Sequence, residues 1–283
     1  MKYVYRKRPF SYGWDWLEAF SQAGIECVEE SPDIELDDLT ILGHSILGDD
    51  TLLMDFMVKK LINRKGRLVF FLGNEWKWFE DKAGVVKGLG ADLNVTQLRL
   101  EDAKRLYGDI PLLELPHGLG DYFRSQTPRQ YRNFDIGVRG MKYSAPKIGD
   151  DERGSICSEG LWSGWRTDFL YGFMLKKADW RRALNDWLVM PSTEAGIVGA
   201  KAISSRHFDA IGCRTNLVMY EGYFNGILKP HEHYVVLNRD HSNLREVKEA
   251  LLADGGGIAQ RAFEHCMDSH RVIHRVKHLL SHL

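Results

Sequence analysis

The stretch ADLNVTQLRLEDAKRLYGDIPLLELPHGL, residues 91–119, contains the pattern that decides the fold of this chain. Two short runs of apolar and strand-forming residues, Asp92–Gln97 and Pro111–Leu115, flank a helical segment at Leu100–Tyr107. Two strands joined by a helix of this length form a right-handed crossover, which places the strands parallel in one sheet. The stretch therefore predicts an α/β protein.

The same alternation extends back to the N-terminus. Strands are predicted at Tyr3–Tyr5, Gly24–Val28, Leu39–Leu42 and Arg67–Leu72, with helices at Gly13–Gln22 and Leu52–Asn63. Together with the two strands above, they predict one doubly wound domain over residues 1–118.

A segment rich in Pro, Gly and polar residues follows, and residues 119–133 are interpreted as a linker. The alternation then resumes, which predicts a second α/β domain over residues 134–283. Its strands are predicted at Phe134–Arg139, Trp187–Met190, Leu217–Tyr220 and Tyr234–Leu237, and its helices at Trp165–Leu175, Lys201–Ile211, Leu244–Ala253 and Ile258–Leu283. In such sheets ligands bind outside the carboxyl ends of the strands, so a cleft between two such domains is the expected ligand site.

Composition excludes several classes of protein. Of 283 residues, 44% are hydrophobic and 27% are charged, and the formal net charge of −1 gives no bulk reason to expect nucleic acid or an anionic membrane as partner. The four cysteines show no CxxC spacing, so free thiols in a reducing compartment are expected. No run approaches the roughly 18 apolar residues of a membrane helix, and no signal peptide is visible. A cytoplasmic protein is expected.

Several segments of the second half resemble a known family when taken in order. They are FDIGVRGMKY (134–143), VMPSTEAG (189–196), SSRHFDAIGCRTNLVMYEG (204–222), ILKPHEHYVVLNRDHSNLREVKEALL (227–252) and AFEHCMDSHRVIHRVKHLL (262–280). This order is similar to that of GT-B nucleotide-sugar glycosyltransferases, and within them to the spore-maturation-type (group 1-like) bacterial subgroup. The resemblance implies two Rossmann-like domains facing each other across a cleft, with the acceptor on the N-terminal side and the donor on the C-terminal side.

The resemblance also implies the chemistry. A sugar, hexosyl or pentosyl, would move from a nucleotide diphosphate sugar such as a UDP-sugar to an acceptor hydroxyl, without a metal or any cofactor beyond the donor substrate. The acceptor would be a small molecule or a glycan. Three positions depart from the family pattern: Asp209 stands where Glu is usual, Arg214 where Gly is usual, and Lys201 where some members carry a first Glu.

Four residues of one predicted helix are candidate donor ligands. Ser204, Ser205 and Arg206 lie at its start, where free backbone amides and a guanidinium suit a diphosphate. Asp209 lies one turn further on, where the resemblance implies that a carboxylate accepts the ribose hydroxyls. The alternative is an Arg206–Asp209 pair on a solvated helix face, which contributes only a few tenths of a kcal/mol, roughly 0.2–0.5.

Further donor-binding candidates surround this helix. The glycine turn after the first strand of the second domain supplies Gly140, with Arg139 and Lys142 beside it. Glu194 belongs to the segment that the resemblance places beside the donor sugar. The alternatives are an ordinary turn glycine and a loop carboxylate.

An inverting enzyme needs a catalytic base from the first domain. Candidates at the ends of predicted strands are His44, Glu75 and His117, although each residue type at such a place is more often structural. A retaining enzyme needs no such base, and the sequence leaves the two outcomes open.

The sequence also bears on three other interpretations. The basic and aromatic segment around Arg6, Lys7 and Arg8, with the cluster KKLINRKGR (59–67), permits DNA carrying a hydroxymethylated base as the acceptor. A catalytically degenerate protein that binds a nucleotide or a glycan is also possible. A Rossmann oxidoreductase is disfavoured because no GxGxxG follows the first strand.

A histidine series, His270, His274, His278 and His282, suggests a metal ladder by its spacing of four residues. A solvated or interdomain helix face is the preferred interpretation, because the positions drift around the helix axis and no other ligand stands nearby.

Overall fold

A computed structural model describes residues 1–7, 13–47, 53–73, 75, 79–140, 150–171, 176–197 and 200–283. The chain forms two compact units. Unit 1 comprises Met1–Pro116 together with Val272–Leu283, and unit 2 comprises His117–Arg271.

The regular elements alternate along the chain as the sequence predicts. The strands are β1 (Lys2–Tyr5), β2 (Glu26–Glu29), β3 (Leu39–Leu42), β4 (Arg67–Phe71), β5 (Leu93–Thr96), β6 (Leu112–Glu114), β7 (Phe134–Gly140), β8 (Thr167–Tyr171), β9 (Trp187–Ser192), β10 (Ala195–Ile197), β11 (Ala200–Ala202), β12 (Asn216–Met219) and β13 (Val235–Val236). The helices are α1 (Gly13–Gln22), α2 (Asp55–Ile62), α3 (Phe79–Leu89), α4 (Leu100–Tyr107), α5 (Asp150–Ile156), α6 (Lys177–Asp186), α7 (Ser205–Gly212), α8 (Leu244–Ala253), α9 (Gly257–Ser269) and α10 (Val272–Leu280).

Unit 1 is a parallel sheet with the strand order β2-β1-β3-β4-β5-β6. One face is covered by α1 and α10, whose Trp16, Phe20, Val276 and Leu279 are buried in a core with Phe71 and other strand residues. The strands expected in this half are confirmed, and α3 is a helix that the sequence analysis did not predict.

Unit 2 is a parallel sheet with the strand order β8-β7-β9-β12-β13, accompanied by the antiparallel hairpin β10-β11. Alternate strand residues enter two separate cores: Met190 and Leu217 pack on one face, and Val189 and Val218 on the other. Both faces are therefore covered, as expected for a parallel sheet.

Three predicted helices of this half differ from the structure. The helix expected at Trp165–Leu175 is wrong, because Thr167–Tyr171 is strand β8 and pairs with β7; its β-branched and aromatic residues fit a sheet. The helix expected from Lys201 begins only at Ser205, after strand β11. The long final helix breaks between α9 and α10, where Arg271 forms an isolated bridge with Leu119.

The contacts also group the chain differently from the expected boundaries of 1–118, 119–133 and 134–283. Residues 119–133 belong with unit 2, where Leu119 and Phe123 are part of the core. Residues 272–283 return to unit 1, because Val272, Val276 and Leu279 supply an apolar face to its sheet.

Candidate functional site

The strand order of unit 2 reverses between β7 and β9. The chain runs from β7 outward to the edge strand β8, and from β9 in the opposite direction to β12 and β13. A crevice outside the carboxyl ends of the strands at such a switch point is where α/β sheets bind ligands. Here those ends are Gly140 of β7 and Ser192 of β9, and the helices that follow them in the chain are α5 and α7.

His207 fixes the first turn of α7 against the end of β9. Its Nδ1 accepts a hydrogen bond from the backbone N–H of Ser204, at 3.1 Å, and its Nε2 lies 3.0 Å from Oγ of Ser192. A neutral imidazole that accepts at Nδ1 carries its proton on Nε2, so His207 donates to the Ser192 hydroxyl. Burial lowers the pKa of His207 to about 3, with a further contribution from the charge of Arg206, which keeps the ring neutral.

Two arginines from different helices lie near enough to His207 to act on its charge. Arg206 of α7 and Arg153 of α5 both act electrostatically on His207 and on the buried thiol of Cys157. Nη2 of Arg153 is buried and has no hydrogen-bond partner among the described residues. Arg153 is not among the residues expected from the sequence, although it lies on the helix that follows the first strand and glycine turn of the second domain. Two guanidinium groups at a switch point suit a diphosphate.

The other predicted residues of α7 have observed neighbours. Ser204 is the N-cap of the helix and Ser205 is its first residue. Asp209 is half-buried, and its Oδ2 accepts a hydrogen bond from Nε1 of Trp180 on α6, at 2.9 Å. Its proposed contact with a ribose stays a prediction.

Arg139 is held within the sheet of unit 2. Its Nη2 lies 2.5 Å from both carboxylate oxygens of Asp168 on β8, and the same carboxylate accepts the indole N–H of Trp187 at 2.8 Å. Its guanidinium is thus engaged in an ion pair in which one nitrogen contacts both carboxylate oxygens, while Nη1 donates to the backbone carbonyl of Asp168 at 2.7 Å. Gly140 ends β7 beside it, and Lys142 lies outside the described residues.

Glu194 is half-buried and closes the loop that follows β9. Its Oε1 accepts the backbone N–H of Phe224 at 2.7 Å. Lys201, at the place of the family's first Glu, lies 3.4 Å from a carboxylate oxygen of Glu152 on α5. Both side chains therefore have structural partners near the switch point.

In unit 1, a buried polar cluster lies at the carboxyl ends of β3, β4 and β5; we call it the unit-1 cluster, and it consists of His44, Glu75, Thr96 and Gln97. Glu75 accepts hydrogen bonds from Oγ1 of Thr96 at 2.7 Å and from the backbone N–H of Gln97 at 2.6 Å. The side-chain amide of Gln97 lies 3.2 Å from the ring of His44. Burial raises the pKa of Glu75.

The unit-1 cluster thus brings together two of the three base candidates, whereas the third belongs to unit 2. His44, Glu75 and His117 are 4%, 0% and 2% exposed. Such burial requires that a substrate reach them through a rearrangement of the residues around them. Their catalytic role stays a prediction.

Some basic residues of unit 1 already form ion pairs or hydrogen bonds within the fold. Arg6 is paired with Glu30, and Arg64 donates to the backbone carbonyls of Leu89 and Gly90 at 2.8 and 2.6 Å. Lys7 is exposed, and Arg8 lies outside the described residues. These contacts account for two of the arginines as fold-stabilising groups.

Among the described residues, no group of three or more His, Cys, Asp or Glu side chains is placed to hold a metal ion. The same part of the chain contains no helix long and apolar enough to cross a membrane.

Neither a protein-family model nor a curated protein matches the sequence. Solved structures do match the fold. Anabaena HepE in complex with UDP-glucose is similar with a TM-score of 0.62 at 11% identity, over 100% of both chains.

Two glucosyltransferases match over nearly their whole length as well. An α-glucosyltransferase in complex with UDP and a 13-mer DNA containing an HMU base gives a TM-score of 0.66 at 10% identity, covering 99% of this chain and 98% of that one. The DNA-modifying enzyme β-glucosyltransferase gives 0.67 at 10% identity, covering 99% of each chain. At this identity the similarity concerns the fold, and the predicted GT-B-like class of two Rossmann-like α/β units is confirmed.

Proposed function

We propose that the protein transfers a sugar from a nucleotide diphosphate sugar to an acceptor hydroxyl, and that the donor diphosphate binds at the carboxyl edge of the unit-2 sheet. The observation that carries this proposal is that Arg153 and Arg206 both act on His207 and Cys157 beside the β7/β9 switch point, with Nη2 of Arg153 buried and unpartnered among the described residues. The fold of the protein is shared with glycosyltransferases whose structures contain UDP or UDP-glucose.

The chemistry requires positive charge at this place. As the bond between the anomeric carbon and the diphosphate oxygen breaks, negative charge grows on the leaving group and the sugar becomes oxocarbenium-like. Arg153 and Arg206 stabilise that charge from two helices, and the start of α7 adds its backbone dipoles. The two arginines supply the charge that a metal ion would otherwise provide, so we propose metal-independent transfer, with UDP as the nucleotide and glucose as the sugar to be tried first.

The ribose and sugar contacts follow from the same placement. Asp209 lies one turn along α7 and would share its carboxylate between Trp180 and a ribose hydroxyl. Glu194, on the loop after β9, would meet a sugar hydroxyl. Gly140 would let backbone approach the phosphates, with Arg139 held behind it by Asp168.

On the acceptor side, the unit-1 cluster favours His44 as the base of an inverting reaction. Glu75 has both carboxylate oxygens engaged, by Thr96 and by the backbone of Gln97. His44 is oriented by the Gln97 side chain, and imidazole is the side chain that most often acts as a general base.

A titration with UDP and UDP-glucose tests the donor site. Arg153→Gln and Arg206→Gln should each weaken UDP binding about 10- to 100-fold, because a hydrogen bond to a charged group contributes roughly 1.5–3 kcal/mol. UDP-glucose binding should weaken less, since its diphosphate carries less charge than free UDP. Arg206→Gln should consequently lower turnover more than donor affinity.

The matched control is Arg245→Gln, which removes an 88% exposed arginine of α8 and should leave both affinities unchanged. Asp209→Ala should also weaken nucleotide binding about 10- to 100-fold, while the protein stays folded. Unchanged UDP affinity in both Arg153→Gln and Arg206→Gln would show that the diphosphate does not bind here.

A hydroxymethylated base in DNA is the second candidate acceptor. The observation in its favour is that two enzymes acting on DNA match this chain over 98–99% of their own length. Incubation with labelled UDP-glucose and duplexes with and without hydroxymethylated bases decides the question: label incorporated only into the modified duplex supports it, and no incorporation excludes it. Slow donor hydrolysis without acceptor distinguishes an enzyme from a protein that only binds the nucleotide.

A further inference from the structure

A second cavity lies at the opposite edge of the unit-2 sheet. It is lined by Leu188 at the start of β9 and by Asn216 at the start of β12, whereas the switch point lies at the far ends of the same sheet. Its volume is about 340 Å³, within the range of small-molecule sites. We call it the arginine pocket, because its lining includes Arg129, Arg132 and Arg214.

The described residues that line the arginine pocket include no carboxylate, and its three arginines are fixed by neutral groups. Arg132, 5% exposed, donates to backbone carbonyls that include that of Cys213, at 2.7 Å. Arg129 donates to the carbonyl of Leu251 at 2.8 Å, and the Arg214 guanidinium lies 3.4 Å from the ring centre of Phe263. Among the described residues none of the three forms an ion pair, so their charges are not neutralised by direct contact.

Several polar atoms at this cavity lack a hydrogen-bond partner in the described part of the chain. The Asn216 side chain is 3% exposed, and its buried Oδ1 accepts no hydrogen bond. Nη1 of Arg129 and Nε of Arg214 are likewise buried and unpartnered. A buried polar group without a partner costs roughly 1–3 kcal/mol, and all three groups belong to side chains that line this one cavity. Since these atoms have almost no accessible surface, a polar ligand would satisfy them only after the side chains turn toward the cavity.

The glycines of the lining fit close approach by a ligand. Gly255 and Gly256 adopt φ values of +65° and +101°, a left-handed backbone without side chains that would fill the cavity. The first amides of α9 do not contribute, because Asp254 accepts the N–H groups of Gly256 and Ile258 at 3.0 and 3.1 Å. Carboxylates outside the lining offset part of this positive charge. They are Asp254 just before α9, Glu264, which accepts a hydrogen bond from Gln260, and Asp135 and Asp186, which interact electrostatically with Arg129 and Arg132.

We propose that the arginine pocket binds the phosphate group of a small phosphorylated metabolite, at a site separate from the donor diphosphate. The guanidinium groups of Arg129 and Arg214 would turn so that N–H groups that are now buried without a partner donate to the phosphate oxygens. The Asn216 amide, with its orientation reversed where needed, would donate a further hydrogen bond. The remaining volume, larger than a phosphate requires, would hold the organic part near Gln260.

Calorimetric titration with glucose 6-phosphate, inorganic phosphate and glucose tests this site. Saturable binding of the sugar phosphate but not of glucose is expected, and comparison with inorganic phosphate shows whether the ester or the free ion is the ligand. Three variants should each weaken binding tenfold or more, which corresponds to about 1.4 kcal/mol or more of binding free energy. They are Arg129→Gln, which removes a positive charge at the phosphate, and Asn216→Asp and Gln260→Glu, which each add a negative charge there.

The control is Arg206→Gln at the donor site, which should leave glucose 6-phosphate binding unchanged and so separates this proposal from the proposed function. Circular dichroism verifies that each variant is folded, and Gln260→Glu changes only a half-buried side chain, so it remains usable where a core variant does not fold. Binding that survives all three pocket variants, or that is lost in Arg206→Gln, refutes the proposal. Absence of saturable binding up to about 10 mM ligand does so as well.

Discussion

Acidification should destabilise the protein through His207, the histidine that joins α7 to β9. The ring is fully buried, and its pKa is lowered from 6.5 to about 3 by burial and by the charge of Arg206. Since the folded-state pKa lies below the unfolded one, the unfolded chain binds more protons between these values. The stability that His207 contributes is complete above about pH 6.5 and is lost as the pH falls toward 3.

The magnitude follows from the shift. At pH 5 the unfolded imidazole is protonated, 1.5 pH units below its pKa, while the folded ring is still neutral. At about 1.36 kcal/mol per unit, the free energy of unfolding should be about 2 kcal/mol lower at pH 5 than at pH 8 on account of this residue alone.

The measurement is urea unfolding at pH 8 and pH 5 for the parent and for His207→Gln. Glutamine does not titrate and restores the ordinary Ser-x-x-Gln capping box with Ser204. The variant should therefore lose about 2 kcal/mol less than the parent between the two pH values. His282→Gln, which removes an exposed imidazole, should behave as the parent does. An equal pH-dependent loss in the parent and in His207→Gln would refute the reasoning.

Three further predictions concern other parts of the molecule. Burial raises the pKa of Glu75, so folding favours its protonated form and stability falls as the pH rises above about 4.5. Glu75→Gln should flatten that part of the pH profile of the unfolding free energy. An unchanged slope in this variant would contradict the prediction. Gly137→Ala should lower stability by about 3 kcal/mol or more, because a Cβ there would overlap the buried indole of Trp187. Gly154→Ala, on the open face of α5, should instead raise stability by about 0.5–1 kcal/mol. Thermal unfolding checks both variants, and similar effects of the two substitutions would be inconsistent with the packing described. Transferase activity should persist in EDTA, and activity abolished by EDTA and restored by magnesium or manganese would disprove metal-independent transfer.

Most strands, about half of the helices and most of the candidate site residues could be recognised from the sequence. Apolar periodicity is a local property, so the runs at Leu39–Leu42 and Arg67–Leu72 could be recognised as strands from their neighbours in the chain. The alternation of strands and helices then determined the parallel α/β class. Short segments that combine aromatic and apolar residues were harder to assign. Thr167–Tyr171 was mistaken for helix because such residues fit both the helical period of 3.6 residues and the strand period of 2.

Tertiary structure alone decided which residues meet. Arg153 and Arg206 are brought together only by the strand order around β7 and β9, and no local pattern encodes that order. Pairing across strands likewise gave Arg139 its partner Asp168. The arginine pocket depends on the same long-range placement, since Asn216 joins arginines and glycines from distant segments. Contacts of this kind arise when separate elements bury their apolar faces together, so the side chains at the sheet edges acquire their neighbours only in the folded chain.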